Sequence, residues 1–249
     1  KRKNHEKVIM ALRNLKQMYP NIIYTCIGYG DEEENIKNCI LNFEKLNIID
    51  EIIVVDNNSN DNTEMEIKET KAIYLKETTQ GYGISIRSGL KKSTGDLLIT
   101  CEPDGTFREK DIFKLLQYSD DFECVFGTRT AKSAIRYKAK MQFYLRIGNI
   151  MVAKLLTYLF NGPTLTDVGC TYKLISKNAY KNIEQKLKII KSDFQPEMMI
   201  RLIKAKHTII EIPVNYLERK GKSKITYNFT SSLALALKMV VLIIKLRIV

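Results

Sequence analysis

The sequence predicts an α/β protein whose mostly parallel sheet is covered by helices on both faces. Three observations carry that expectation. Over residues 21–130 short apolar runs alternate with amphipathic stretches, the pattern of repeated strand–helix units. The runs are apolar throughout, as strands buried on both faces are. Clusters of Asp, Asn, Gly, Pro or Thr follow the runs and punctuate strand from helix.

Taken in order, residues 21–27 are the first strand, and Asp31 can cap a helix with Ile36, Ile40, Phe43 and Leu46 on its apolar face. Residues 51–55 are the second strand, followed by Asp56-Asn57-Asn58-Ser59-Asn60-Asp61-Asn62-Thr63, a turn entering a helix. Residues 72–75 form a short third strand, after which Gly81-Tyr82-Gly83 opens a helix carrying Ile84, Ile86 and Leu90. The fourth strand, residues 96–100, runs into Glu102-Pro103-Asp104-Gly105-Thr106, with a helix from Glu109 onward. A fifth, residues 122–126, ends in Gly127-Thr128-Arg129. Helices are expected over 177–187 and 196–206, and a strand over 208–214. Residues 1–230 are expected to form one domain, with 231–249 an apolar C-terminal helix.

Charge is divided unevenly along the chain. The net charge is +12 over 249 residues, yet residues 1–130 hold 18 Lys+Arg against 22 Asp+Glu, and residues 131–249 hold 22 against 6. The basic half must face something anionic: nucleic acid, phosphate-bearing substrates or an acidic membrane surface. Residues 136–160 place Arg136, Lys138, Lys140, Arg146 and Lys154 among Phe143, Ile147, Met151, Leu155, Tyr158 and other apolar side chains. That mixture suits a helix lying on a membrane better than one in a soluble core. Residues 233–249 are apolar but for Lys238, Lys245 and Arg247. Seventeen residues at ~1.5 Å each fall short of the ~30 Å hydrocarbon layer, so an interfacial pose, or a truncated membrane segment, is expected. The alternative is that both segments are packed core helices or a dimer interface. Cys26, Cys39, Cys101, Cys124 and Cys170 show no paired spacing, and His5 and His207 stand apart, which favours a reduced compartment over a zinc site. No secretory leader is expected, and Lys1-Arg2-Lys3 without an initiator Met reads as a processed or trimmed N-terminus.

Glu102 and Asp104 are the most informative pair. Two carboxylates one residue apart at the end of an apolar strand can share a hard divalent cation that keeps positions open for phosphate oxygens. Such strand ends are where α/β proteins bind ligands. The competing reading is an acidic turn capping the next helix.

The motif series resembles family 2 glycosyltransferases of the GT-A (Rossmann-like) fold, and most closely the dolichyl- or polyprenyl-phosphate sugar transferase branch. The segments that carry the resemblance span roughly residues 20–230: Gly28 to Ile36, Val54 to Thr63, Glu102-Pro103-Asp104 in the place of Asp-x-Asp, Gly127-Thr128-Arg129, Thr166 to Cys170, and Arg219-Lys220-Gly221-Lys222-Ser223-Lys224. Gly28 and Gly30 stand where the family has Pro and Tyr, and Glu102 where it has a first Asp. The resemblance implies inverting transfer of a hexose from a nucleotide diphosphate sugar, of the GDP-mannose or UDP-glucose kind, to a polyprenyl or dolichyl phosphate. It implies Mg²⁺ or Mn²⁺ on Glu102 and Asp104, and location at the cytoplasmic face of a membrane.

Further roles follow from residue type and place. Gly28, Glu32, Asp56 and Gly81 are candidate nucleotide contacts, with Gly81-Tyr82-Gly83 allowing close backbone approach; the alternatives are an Asx-turn at Asp56, a solvated helix start at Glu32 and an ordinary turn at Gly81. Arg129, Arg146, Arg219, Ser223 and Lys224 are candidates for phosphate, since guanidinium forks match phosphate oxygens, and the basic loop resembles a closing lid. Asp167 can position the acceptor or act as base, with Glu197 a weaker candidate. A lipid phosphate is already anionic and needs no strong base, whereas a sugar hydroxyl does; transfer to a hydroxyl of a cell-surface glycan is therefore the second reading. Nucleic-acid binding is the distant one: the cations are interleaved with aliphatic chains rather than exposed aromatics, and Trp is absent. A non-catalytic scaffold of the same fold would not need Asp104 and the basic loop.

Overall fold

The computed structural model describes residues 22–28, 33–135, 139, 141–218 and 229–248. Seven strands form one sheet: β1 (Ile22–Gly28), β2 (Glu51–Asp56), β3 (Ile73–Lys76), β4 (Leu97–Cys101), β5 (Cys124–Thr128), β6 (Lys173–Ser176) and β7 (Ile209–Pro213), in the order β3-β2-β1-β4-β6-β5-β7. The pairs β1–β2, β1–β4, β2–β3 and β5–β7 are parallel. β6 lies antiparallel between β4 and β5.

The sequence reading contains no β6, and the reason is Lys173. A Lys opening a four-residue strand suggests solvent, yet Lys173 is fully buried. Its ammonium donates to the Cys170 carbonyl and lies 5.4 Å from the Phe126 ring centroid. Burial lowers its pKa, because the charged form is the one that loses hydration.

Helices cover both faces. α1 (Glu33–Glu44), α2 (Thr63–Lys68) and α4 (Ile112–Gln117) pack on one side, where Ile36, Ile40, Phe43, Ile67, Leu115 and Leu116 are buried. The expected helix at Glu109 starts as a 3-10 turn, Glu109–Asp111, and becomes α-helical at Ile112. Leu46 falls past the end of α1 and only packs against the edge of this core. Asp31 lies outside the described residues. On the opposite face sit α3 (Tyr82–Lys92), α5 (Phe143–Phe160), α6 (Lys177–Glu184), α7 (Phe194–Lys204) and α8 (Phe229–Ile248).

The C-terminal helix is longer than the sequence suggests: 20 residues, or about 30 Å. The length argument against crossing a membrane therefore fails, and α5 and α8 are each long and apolar enough to cross one. Instead of standing apart, α8 buries Met239, Leu242, Ile243 and Leu246 in the same core as Val152, Ala153 and Leu156 of α5. The other faces of these helices remain apolar and exposed, at Phe143, Ile147, Met151 and Tyr158 of α5 and Leu233, Leu237, Val241, Ile244 and Ile248 of α8. The members of each set are three, four or seven residues apart, so each forms one stripe.

The start of α3 depends on a close backbone contact. Gly83 and Ile84 both donate their N–H groups to the Ile190 carbonyl, at 2.9 and 3.2 Å. A Cβ on Gly81, whose φ is +159°, would stand 2.2 Å from that carbonyl oxygen. Gly81→Ala should therefore destabilise the fold by about 1–3 kcal/mol, read as a lower midpoint in urea unfolding; an unchanged midpoint would show that the segment at Ile190 yields freely.

Candidate active site

Register brings the motifs to one edge. Gly28 pairs with Asp56, and Asp56 with Lys76, so β1, β2 and β3 end level. β4 is parallel to β1, with Cys26 opposite Cys101, which puts Glu102 and Asp104 just beyond the same edge. Lys173 pairs with both Thr100 and Phe126, so Thr128 and Arg129 leave β5 at that edge as well. Because β6 runs the other way, the loop before it, with Asp167, arrives there too. Ligands bind at this edge in open α/β sheets.

Each carboxylate of the acidic pair is oriented by hydrogen bonds from the protein. Glu102 Oε1 accepts from the Thr171 hydroxyl at 2.8 Å; Tyr82 lies 2.8 Å from that hydroxyl, and Gln195 Nε2 donates to Tyr82 at 3.1 Å. Asp104 Oδ1 accepts from the Thr106 N–H at 3.0 Å and from its hydroxyl. Gly105, with φ of 73°, allows the turn between them. Among the described residues no group of three or more His, Cys, Asp or Glu gathers. Glu102 and Asp104 offer the hard oxygen donors that Mg²⁺ and Mn²⁺ accept.

At the β2 end the outcome is more structural. Asp56 is only 3% exposed, its Oδ1 accepting from Ser59 N–H at 2.9 Å and its Oδ2 from the Tyr74 hydroxyl at 2.8 Å. This is the Asx-turn alternative; the carboxylate keeps lone pairs for one further donor. Its neighbour Asn57 was not singled out by sequence reasoning. Asn57 donates to the carbonyls of Glu77 (3.1 Å) and Thr79 (2.7 Å) and accepts from Gly81 N–H at 2.7 Å. It ties the loop after β3 to the end of β2. At Gly81 the N–H serves Asn57 and the bare Cα admits the Ile190 carbonyl.

The basic end is organised around one ion pair. Asp167 is completely buried, while the Arg129 side chain is 17% exposed. Arg129 donates to Asp167 from Nε (2.9 Å), Nη2 (2.9 Å) and its backbone N–H (3.0 Å), and Gly169 N–H adds a fourth bond at 3.0 Å. Burial works against ionising Asp167, but the Arg129 charge and these bonds outweigh it and hold the carboxyl below its usual value. Both Asp167 oxygens are thus engaged by the Arg129 fork. The carboxylate's work is to fix Arg129, whose guanidinium also lies 5.5 Å from the Tyr216 ring centroid. Arg146, in the first turn of α5, donates from Nε to the Thr130 carbonyl at 2.6 Å and so stands beside Arg129. Asn149 of α5 accepts from Gly169 N–H at 3.1 Å.

Behind this pair is Glu211 of β7, another residue the sequence reading passed over. It accepts from Thr166 N–H, the Thr166 hydroxyl and Asp167 N–H, and burial lifts its carboxyl above the usual range. The only sequence signal was a charged residue within an apolar strand. Glu197 proves structural as well: it is buried, and accepts from the N–H groups of Lys188 and Ile189. Glu32, Arg219, Ser223 and Lys224, with Arg136, Lys138 and Lys140, lie outside the described residues. The strand leading toward the basic loop is tied to the site, with Leu217 N–H donating to Thr106 O at 2.8 Å.

A GT-A-like sheet with an acidic pair and two arginines at its carboxyl edge is the frame of a nucleotide-sugar-dependent transferase. The chain belongs to Glycosyl transferase family 2, which matches residues 25–184. It is similar to the UDP-N-acetylglucosamine–dolichyl-phosphate N-acetylglucosaminyltransferase of Methanococcus voltae, 30% identical over 220 residues covering 79% of this chain and 86% of that protein. A dolichyl-phosphate hexose transferase of Haloferax volcanii is 24% identical over 80% of this chain and 84% of that one. Among solved structures, glucosyl-3-phosphoglycerate synthase of Mycobacterium tuberculosis with Mn²⁺, uridine diphosphate and glucosyl-3-phosphoglycerate superposes with a TM-score of 0.72 at 14% identity, covering 94% of this chain and 82% of that one. The same synthase is also known with Mg²⁺ and uridine diphosphate.

Removing the Asp167 charge should expose how much the site depends on it. Asp167→Asn leaves the Arg129 charge buried without its counter-ion, a loss of about 3–5 kcal/mol. Because the folded carboxyl is more acidic than the unfolded one, that stabilisation is full above pH ~4 and disappears as pH falls through the depressed folded value. Urea unfolding of both proteins should therefore show a gap at neutral pH that closes in acid; a gap independent of pH would refute the ionised pair.

Proposed function

We propose that this glycosyltransferase moves a hexose from a nucleotide diphosphate sugar, of the GDP-mannose or UDP-glucose kind, to a polyprenyl or dolichyl phosphate at the cytoplasmic face of a membrane, with inversion at the anomeric carbon. The observation that carries the choice of acceptor is the fate of Asp167. The carboxylate that a hydroxyl acceptor would need as base is buried and used to hold Arg129. A phosphate acceptor needs no base, but it needs cations placed before it arrives. Arg129 and Arg146 supply them.

The roles follow the geometry. Glu102 and Asp104 would hold Mg²⁺ or Mn²⁺, which when bound offsets the charge growing on the leaving diphosphate. Gly28 and Asp56 border the donor nucleotide. Arg129, locked by Asp167, keeps the rest of its fork for phosphate oxygens, since two of its five N–H groups go to Asp167. Holding donor and acceptor in line converts a bimolecular encounter into an oriented one. Arg219, Ser223 and Lys224 follow directly on the segment bonded to Thr106 and are assigned to closure over the diphosphate.

A panel of nucleotide sugars with a short polyprenyl phosphate, scored for nucleotide diphosphate release, tests the reading. Turnover should occur with one donor, vanish in EDTA, fall by several orders of magnitude in Asp104→Asn, and lose acceptor affinity in Arg129→Ala. Transfer to a saccharide with none to polyprenyl phosphate would favour the hydroxyl reading instead.

The membrane half of the proposal rests on the stripes of α5 and α8. Each large apolar side chain removed from water contributes roughly 1.5–3 kcal/mol. The exposed Lys154, Lys238, Lys245 and Arg247 add about 1 kcal/mol each near an anionic surface. The protein should co-sediment with anionic vesicles and less with neutral ones, and binding should weaken with salt and with Leu237→Glu plus Val241→Glu. Failure to bind either vesicle would overturn it.

A further inference from the structure

Two arginines form the basic end of the site, and neither is held by its own element alone. Following their contacts inward leads to a single side chain. Glu211 Oε1 accepts from Thr166 N–H at 2.9 Å and Asp167 N–H at 3.0 Å; Oε2 accepts from the Thr166 hydroxyl at 2.6 Å. From Asp167 the path runs by two side-chain bonds to the Arg129 fork. From Thr166 it runs through the hydroxyl of Thr130, at 2.7 Å, whose own carbonyl receives Arg146 Nε. Thr128 closes a triangle of hydroxyls with Thr130 and Thr166, both at 2.9 Å.

We propose that Glu211 is a positioning residue for the acceptor phosphate, fixing the Thr166–Asp167 turn from behind and through it setting both Arg129 and Arg146. This deepens the acceptor-phosphate reading and rests on it. Glu211 touches neither arginine in the contacts above, so it acts only through the turn. The donor-side carboxylates follow β4; Thr106 orients Asp104, and Thr171, which orients Glu102, is anchored by the Thr100 hydroxyl of β4. A loosened turn should thus disturb acceptor binding and spare donor binding. A carboxylate is required because all the donors converge on it. Gln would present one acceptor oxygen and an NH₂ facing N–H groups that then lack a partner.

The test uses the full chain and two variants. In Glu211→Gln the KM for short polyprenyl phosphate should rise by about 10–100-fold, as a misplacement near 1 Å produces, while the donor KM stays within twofold. The Arg129 Nε–H resonance, protected in the wild type by its bond to Asp167, should move and exchange faster. Thr166→Val keeps both N–H bonds to Glu211 and removes only the hydroxyl, so it should shift the Arg146 Nε–H resonance, leave that of Arg129, and raise acceptor KM less. A Glu211→Gln protein with wild-type resonances and acceptor KM would overturn the proposal. Should that variant fail to fold, unchanged Arg146 resonance in Thr166→Val overturns it and a shifted one supports it. If wild-type protein ignores polyprenyl phosphate, the functional reading fails, and the two resonances still decide whether Glu211 sets the arginines.

Discussion

Asp167 carries a charge with no water to hold it, and much of the basic end of the site is arranged to make that tolerable. A buried ion pair gains little net stability against a well-packed apolar pair, because desolvation consumes the Coulomb attraction. Its value lies in what it forbids. With four N–H donors converging on one carboxylate, the Arg129 fork has one low-energy orientation. An arginine free on a surface samples many rotamers and must be ordered by its ligand; one already ordered presents its remaining donors at no further entropic loss.

That arrangement exists only because β6 runs backwards. In an all-parallel sheet the chain would enter β6 at the amino edge, and the loop ahead of it would lie far from Glu102 and Asp104. Reversal delivers residues 166–172 to the carboxyl edge, where Thr171 bonds Glu102 and Asp167 bonds Arg129. One short loop thus touches both the acidic and the basic sides of the site.

The elements that were legible in the sequence are those whose signal is local. Apolar runs gave β1 to β5 and β7 within a few residues, and Asp104 could be placed at a strand end because a strand end needs only the run before it. What could not be read is what depends on a partner distant in sequence. Lys173 hides β6 because its burial is compensated by a carbonyl and an aromatic face. Nothing near Gly81 in sequence reveals that Ile190, over a hundred residues away, packs at its Cα. Nothing near Asp167 reveals that it pairs with Arg129. Glu211 was a charge in an apolar strand, and its donors come from a different loop.

The same reasoning links the apolar stripes to the chemistry. Arg146 sits one residue before Ile147, so it points about 100° around α5 from the exposed stripe. That is the direction of Thr130 and Arg129, and Arg146 bonds the first of these. A helix whose outer face enters the headgroup layer would therefore carry its phosphate-directed arginine at the boundary between lipid and protein. Packing of α8 on α5 through Met239, Leu242 and Ile243 stiffens that helix along its length. On the proposed reading, a lipid phosphate rising from the headgroup layer would then meet Arg146 and Arg129 without leaving the surface, and a water-soluble donor would approach from the side of Glu102 and Asp104.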